Sequence, residues 1–215
     1  MPVAQQLEEV FEARSDHDVT LISGSTGKFF AQIKNGAPFD VFLAADQERP
    51  ALLEEEGAAV PGSRITYAVG TLVLWSAAGD NVSASTLKTG GYARLALAQP
   101  RLAPYGAAGA DVLAELGLDC VIVRCVFGEN VAQAFAFVKI GAAPAGFVSL
   151  SQVLALPEDA RGAWWTPSPT DYAPIRQDGV LLARAAGNDA AKAFLAFLHS
   201  DEAMGILTDY GYALP

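Results

Sequence analysis

Gln32-Ile33-Lys34-Asn35-Gly36-Ala37-Pro38-Phe39-Asp40-Val41-Phe42-Leu43-Ala44-Ala45-Asp46 takes the chain out of one helix, along one strand and up to the next helix. A helix over Thr26 to Asn35 stops at Gly36, because glycine takes the left-handed closing conformation at no steric cost. Asp40 to Ala44 is a short apolar run of strand length, and Asp46 can cap a helix in which Leu52 and Leu53 are apolar and Gly57 ends the run. Upstream, Asp18 to Ile22 reads as a strand feeding the helix at Thr26. This is βα winding.

The same alternation continues along the chain. A β segment runs from Ile65 through Tyr67, Leu72, Val73, Leu74 and Trp75, and a loop rich in Gly, Ser, Asn and Thr follows from Ala77 to Gly91. That loop is where the chain leaves a first lobe. A second lobe holds the strand Arg94 to Ala98, the helix Gly106 to Leu116, the strand Cys120 to Val126, the helix Val131 to Ile140 and the strand Ala145 to Val148. Prolines at 157, 167, 169 and 174, with Trp164 and Trp165 between them, make a structured return connection in which the tryptophans serve packing or the hinge. Gly179 to Ala183 is a strand, and helices at Ala190 to Leu198 and Asp201 to Asp209 end the chain. The expected division is therefore residues 1–75 with 177–215, and residues 76–176.

The 215 residues, 52% of them hydrophobic, are enough for a substantial core, yet no apolar run approaches the roughly 18 residues of a membrane span. Net charge is -10, and the few Lys and Arg are scattered, so nucleic acid is not an expected partner. An acidic chain repels anions at long range, so an anion site here must work through local donors. Cys120 and Cys125 flank what reads as one strand, which would hold their Cα atoms roughly 16 Å apart; a disulfide would need one of them in the preceding loop. The expectation is two free, buried thiols with no metal role. Met1 leads directly into an amphipathic helix with Val3, Leu7, Val10 and Phe11 on one face, and no signal peptide is visible. An α/β chain that opens on a helix leaves that helix without its usual strand partner.

Ser23-Gly24-Ser25-Thr26-Gly27-Lys28 lacks the spacing of a phosphate-binding loop, because two residues separate its glycines and Phe29 follows the lysine. What remains is a small hydroxylated turn opening a helix, with amide hydrogens and the positive end of a helix dipole to offer an anion. Pro104-Tyr105-Gly106 and Gly128-Glu129-Asn130-Val131 open further helices. Each of these starts could be an ordinary helix cap, with Ser25, Thr26 or Asn130 capping. Helix starts at strand C-termini in both lobes together point to ligand binding. His17 and His199 have no Ser or Cys partner in a nucleophile motif, and Glu54-Glu55-Glu56 is a solvated helix face.

These stretches resemble periplasmic molybdate-binding proteins. The resemblance runs in order along nearly the whole chain, through Gly24-Ser25-Thr26-Gly27, Gln32 to Asp46, Pro61-Gly62-Ser63-Arg64, Ala103-Pro104-Tyr105-Gly106, Gly128-Glu129-Asn130-Val131-Ala132-Gln133-Ala134 and Ala145-Gly146-Phe147-Val148. It implies an α/β, two-lobed periplasmic-binding-protein fold of type II, each lobe a mixed sheet flanked by helices, with a hinge of two crossover strands. The lobes would close over molybdate or tungstate held by neutral hydrogen bonds, with no cofactor and no catalysis. Thr26 would give its hydroxyl and amide with Ser25 beside it, and Tyr105 and Val131 would give amides. The implied setting is a periplasmic monomer that hands its anion to the membrane permease of an ABC importer; the alternative is a cytoplasmic oxyanion-sensing or interaction domain of the same fold.

Two departures from the family pattern stand out. One branch supplies a tyrosine hydroxyl at the position of Ser149, and the family opens with a strand and a donor-bearing turn before the first helix. The expectation that follows is that Met1 is internal to a longer reading frame, with signal peptide, first strand and part of the first-lobe site missing.

Overall fold

The computed structural model describes residues 2–79 and 81–215. The chain divides into two compact units, Met1–Val69 with Arg176–Pro215, and Gly70–Ile175. The first division falls earlier than the expected one after Trp75, because the β segment read as one run is two strands. β2 (Ile65–Gly70) and β3 (Leu72–Ser76) belong to different sheets. The return falls before Arg176, one residue ahead of expectation, within β8 (Ile175–Leu181).

In the first unit a sheet of order β1-β8-β2 forms around β8, with β1 (Val41–Leu43) antiparallel to it and Phe42 opposite Val180. Helix α1 (Pro2–Glu12) buries Leu7 and Phe11, with Val3 and Val10 packed alongside, against α8 (Asp189–Phe197) and α9 (Asp201–Asp209). That is the face its spacing predicts. Phe11 meets Phe194 edge-on at 5.2 Å and stacks beside His17. Helices α2 (Thr26–Lys34) and α3 (Glu48–Glu55) place Ile33 and Leu53 against Phe42 and Val180 in a second apolar cluster. The N-cap position of α3 falls to Gln47, one residue past the expected Asp46, although the Asp46 carboxylate still accepts the Arg49 amide at 3.0 Å and pairs with the Arg49 guanidinium.

The strand expected at Asp18–Ile22 does not form. Val19 and Leu21 are half-buried while Thr20 and Ile22 are exposed, so the alternation is there, but a strand also needs a neighbour to bond. The Val19 amide goes instead to the Glu12 carboxylate at 2.7 Å.

The second unit holds a mixed sheet of order β5-β4-β6-β3-β7. β4 (Leu95–Ala98) runs parallel to β5 (Cys125–Gly128) and β6 (Ala145–Ser149), and β3 runs antiparallel to β6 and to β7 (Ala163–Trp165). Trp164 and Trp165 thus sit in an edge strand. Helices α5 (Pro104–Glu115) and α6 (Val131–Lys139) follow β4 and β5. Two short helices were not expected: α4 (Ala84–Lys88), capped by Ser83 inside the polar loop, and α7 (Leu150–Leu154), capped by Ser149. Fully buried Trp75 anchors the core. Its ring stacks on Phe135 of α6 at 4.6 Å, and its Nε1 donates to the Arg161 carbonyl at 2.6 Å.

The cysteines correct the sequence reading. Cys120 lies in a turn ahead of β5, where the Asp119 carboxylate accepts the amides of Val121 and Ile122 and Arg124 takes a left-handed φ of 52°. The turn brings the Cα atoms to 4.8 Å, and Cys120 and Cys125 form a disulfide. The run was misread because Val121, Ile122 and Val123 are strand-prone, although Val121 and Ile122 are exposed. Closing so small a loop should stabilise the chain by about 2 kcal/mol through the unfolded state. Urea unfolding of the double variant Cys120→Ser, Cys125→Ser is expected to give that loss; an unchanged midpoint at constant slope would refute it. No helix of the described residues is long and apolar enough to cross a membrane.

Candidate functional site

Ser25 is the N-cap of α2: its backbone is extended and its hydroxyl accepts the Lys28 amide at 3.4 Å. The capping role weighed for it is real, and both Ser25 and Thr26 are buried. Thr26 opens the helix, so its amide points out of the helix end. Its hydroxyl oxygen accepts the Ala45 amide at 3.2 Å. A hydroxyl that accepts one bond keeps its own proton to donate. Ala45, just beyond β1, joins Thr26 here and was not singled out from the sequence, because a backbone amide on alanine leaves no side-chain signal.

Tyr105 and Val131 belong to the second unit. Pro104 occupies the first position of α5 and has no amide hydrogen, so the first amide this helix end presents is that of buried Tyr105. Behind it, a Cβ on Gly106 would overlap the Ala98 carbonyl, which is how closely the helix start rests on the end of β4. Val131 is the first residue of α6. Asn130 precedes it in extended conformation and caps the helix by accepting the Gln133 amide at 2.9 Å. The Val131 carbonyl accepts from Gln152 Nε2 at 3.4 Å.

β4 and β5 are neighbours and parallel, with Ala98 opposite Gly128. The starts of α5 and α6 therefore lie at the same end of the sheet, beyond the strand C-termini, where the Gln99 amide ties the two strand ends together by donating to the Gly128 carbonyl at 2.7 Å. The second unit thus brings Tyr105 and Val131 to one edge, and the first brings Thr26 and Ser25 to Ala45. Ser149 ends β6, the other parallel neighbour of β4, and caps α7 at that same edge, where its hydroxyl pairs with that of Ser151 at 2.5 Å.

Helix starts carry partial positive charge and outward amide hydrogens, which suits an anion without any cationic side chain. The histidines sit elsewhere: His199 Nε2 lies 3.0 Å from the Thr66 carbonyl. Among the described residues no group of His, Cys, Asp and Glu is arranged to hold a metal ion.

Two α/β units joined by two chain crossings, each with donor-bearing helix starts, define a solute-binding protein. Residues 1–213 match the model of the bacterial extracellular solute-binding proteins, and the chain belongs to that family. It is 46% identical to the molybdate-binding protein ModA of Azotobacter vinelandii over 95% of this chain and 82% of that protein. It is 44% identical to ModA of Rhodobacter capsulatus over 97% of this chain and 82% of that protein. The solved periplasmic molybdate-binding protein of Azotobacter vinelandii superposes with a TM-score of 0.94 at 38% identity, covering all of this chain and 95% of that one. These relatives are molybdate-binding proteins, the solved one periplasmic, which does not favour the cytoplasmic sensing alternative.

Proposed function

We propose that this chain captures a tetrahedral oxyanion, molybdate or tungstate, and delivers it to the permease of an ABC importer, catalysing nothing itself. The donors are the Thr26 hydroxyl and amide with Ser25 beside them, the Ala45 amide as support, and the Tyr105 and Val131 amides. The observation that carries this reading is the pairing of two helix starts on adjacent parallel strands in a chain 46% identical to a molybdate-binding protein. A net charge of -10 calls for this kind of site, because fixed local dipoles act where the long-range field is unfavourable. A periplasmic setting is supported by the family and by the Cys120–Cys125 disulfide, a bond that persists in oxidising compartments. We read the working unit as a monomer.

Calorimetry and thermal shift with molybdate, tungstate and sulfate test this. An anion at one hundred times its Kd stabilises the folded chain by about 2.7 kcal/mol. No heat and no shift with any of the three would sink the reading. Thr26→Val removes the hydroxyl and keeps the amide, and is expected to weaken molybdate binding by roughly 1–3 kcal/mol. Unchanged affinity would remove Thr26 from the donor set.

A further inference from the structure

Asp178 is fully buried in β8, and both its carboxylate oxygens are engaged. Oδ1 accepts from Thr66 Oγ1 at 2.7 Å and Gln47 Nε2 at 3.1 Å, and Oδ2 accepts from the Arg64 guanidinium at 2.8 Å. The Asp178 carbonyl accepts the Ala44 amide at 2.8 Å. Asp178 is desolvated while the Arg64 side chain stays 37% exposed, and an ion pair of this kind is weak evidence for stability. Stability alone therefore leaves this charge unexplained.

The partners share a location. Thr66 lies in β2 and Asp178 in β8, the strands through which the chain passes between its units. Ala44 and Gln47 bracket Ala45, whose amide holds the Thr26 hydroxyl. The hydrogen bond to Asp178 raises the Arg64 pKa, so Arg64 keeps its charge across the working pH range.

We infer that Asp178 is a positioning residue for the oxyanion site: gripping the Ala44–Gln47 turn on both sides of Ala45, it fixes the Ala45 amide and the Thr26 hydroxyl on the frame of β2 and β8. This rests on the reading of Thr26 as a ligand donor. Side-chain bonds from Thr66, Gln47 and Arg64 orient the carboxylate, and its carbonyl sets the depth of the turn. Loss of the carboxylate leaves Ala45 attached but free to shift, so the hydroxyl it steers loses its aim.

The test uses the whole chain, with molybdate as the probe, at temperatures well below each variant's Tm. Asp178→Ala is expected to weaken molybdate binding about tenfold, the scale of one misdirected bond to a charged group. Asp178→Asn keeps an oxygen for Thr66 and Gln47 and loses the pair with Arg64, so its Tm should fall while its affinity stays within about threefold of the unaltered chain. Leu207→Ala, in the core of α9, should lower the Tm and leave affinity unchanged. Gln47→Ala cuts one arm of the grip and serves where Asp178→Ala fails to fold, with an expected loss of about threefold. Wild-type affinity in Asp178→Ala, or an equal loss in Leu207→Ala, overturns the assignment. Should the unaltered chain bind no molybdate, the oxyanion reading fails, and hydrogen exchange at the Ala45 amide still decides the positioning role. Protection lost in Asp178→Ala and kept in Leu207→Ala supports it; protection kept in both overturns it.

Discussion

Val131→Pro is expected to leave helix α6 in place and to weaken oxyanion binding at least tenfold. Proline lacks the amide hydrogen, and the first position of a helix tolerates that lack because the amide there has no partner within the helix. The residue before a proline must be extended, and Asn130 already is, with φ -150° and ψ 172°. The Asn130 cap onto Gln133 involves neither the Val131 amide nor its side chain. The substitution therefore deletes one donor and trims the packing of a half-buried side chain, and a buried hydrogen bond to a charged ligand is worth about 1.5–3 kcal/mol. Calorimetry gives the affinity, and far-UV circular dichroism checks that helix content is kept. A folded Val131→Pro chain with full affinity would mean that the anion does not sit at the start of α6.

Trp75→Ala should cost about 3–5 kcal/mol of stability, the largest loss expected from a single side chain here. The ring is fully buried in β3, between β6 and β7, and three separate supports go with it. The cavity is large, the Phe135 ring loses its stacking partner, and the Arg161 carbonyl loses its donor. Phe135 belongs to α6, so the helix whose start presents Val131 is packed against this side chain. Trp75→Phe keeps the stack and loses the bond, and should cost about 1–2 kcal/mol. Urea unfolding followed by circular dichroism measures both, and a loss under about 1 kcal/mol for the alanine variant would contradict the packing argument.

Much of the architecture was legible because capping and amphipathic spacing are local. The face of α1, the start of α6 at Val131 behind Asn130, and α9 from Asp201 to Asp209 all appear as read. What depended on distant partners was not. Asp18–Ile22 has strand chemistry and no strand, since sheets are made by neighbours. Val121-Ile122-Val123 has strand chemistry too, but Asp119 folds it into a turn and a disulfide closes it. Ala45 and Asp178 escaped for different reasons. An alanine amide has no letter of its own, and a buried aspartate in Ile175-Arg176-Gln177-Asp178-Gly179 is visible as an oddity only once strand β8 is known to be interior. The candidate site could be read residue by residue at its helix starts, and not in the bonds that hold those starts in place.

The pairing of Ala98 with Gly128 has a bearing on selectivity. Because α5 and α6 hang from neighbouring strands, the gap between their first amides is inherited from how β4 and β5 are aligned. A slip of one residue would slide one amide past the other by about 3.3 Å, far more than the size difference between one tetrahedral oxyanion and another. If the anion sits at these amides as proposed, the gauge that measures it is cut into the sheet itself, and exchanging the side chains of Tyr105 or Val131 while keeping their amides would leave its calibration untouched.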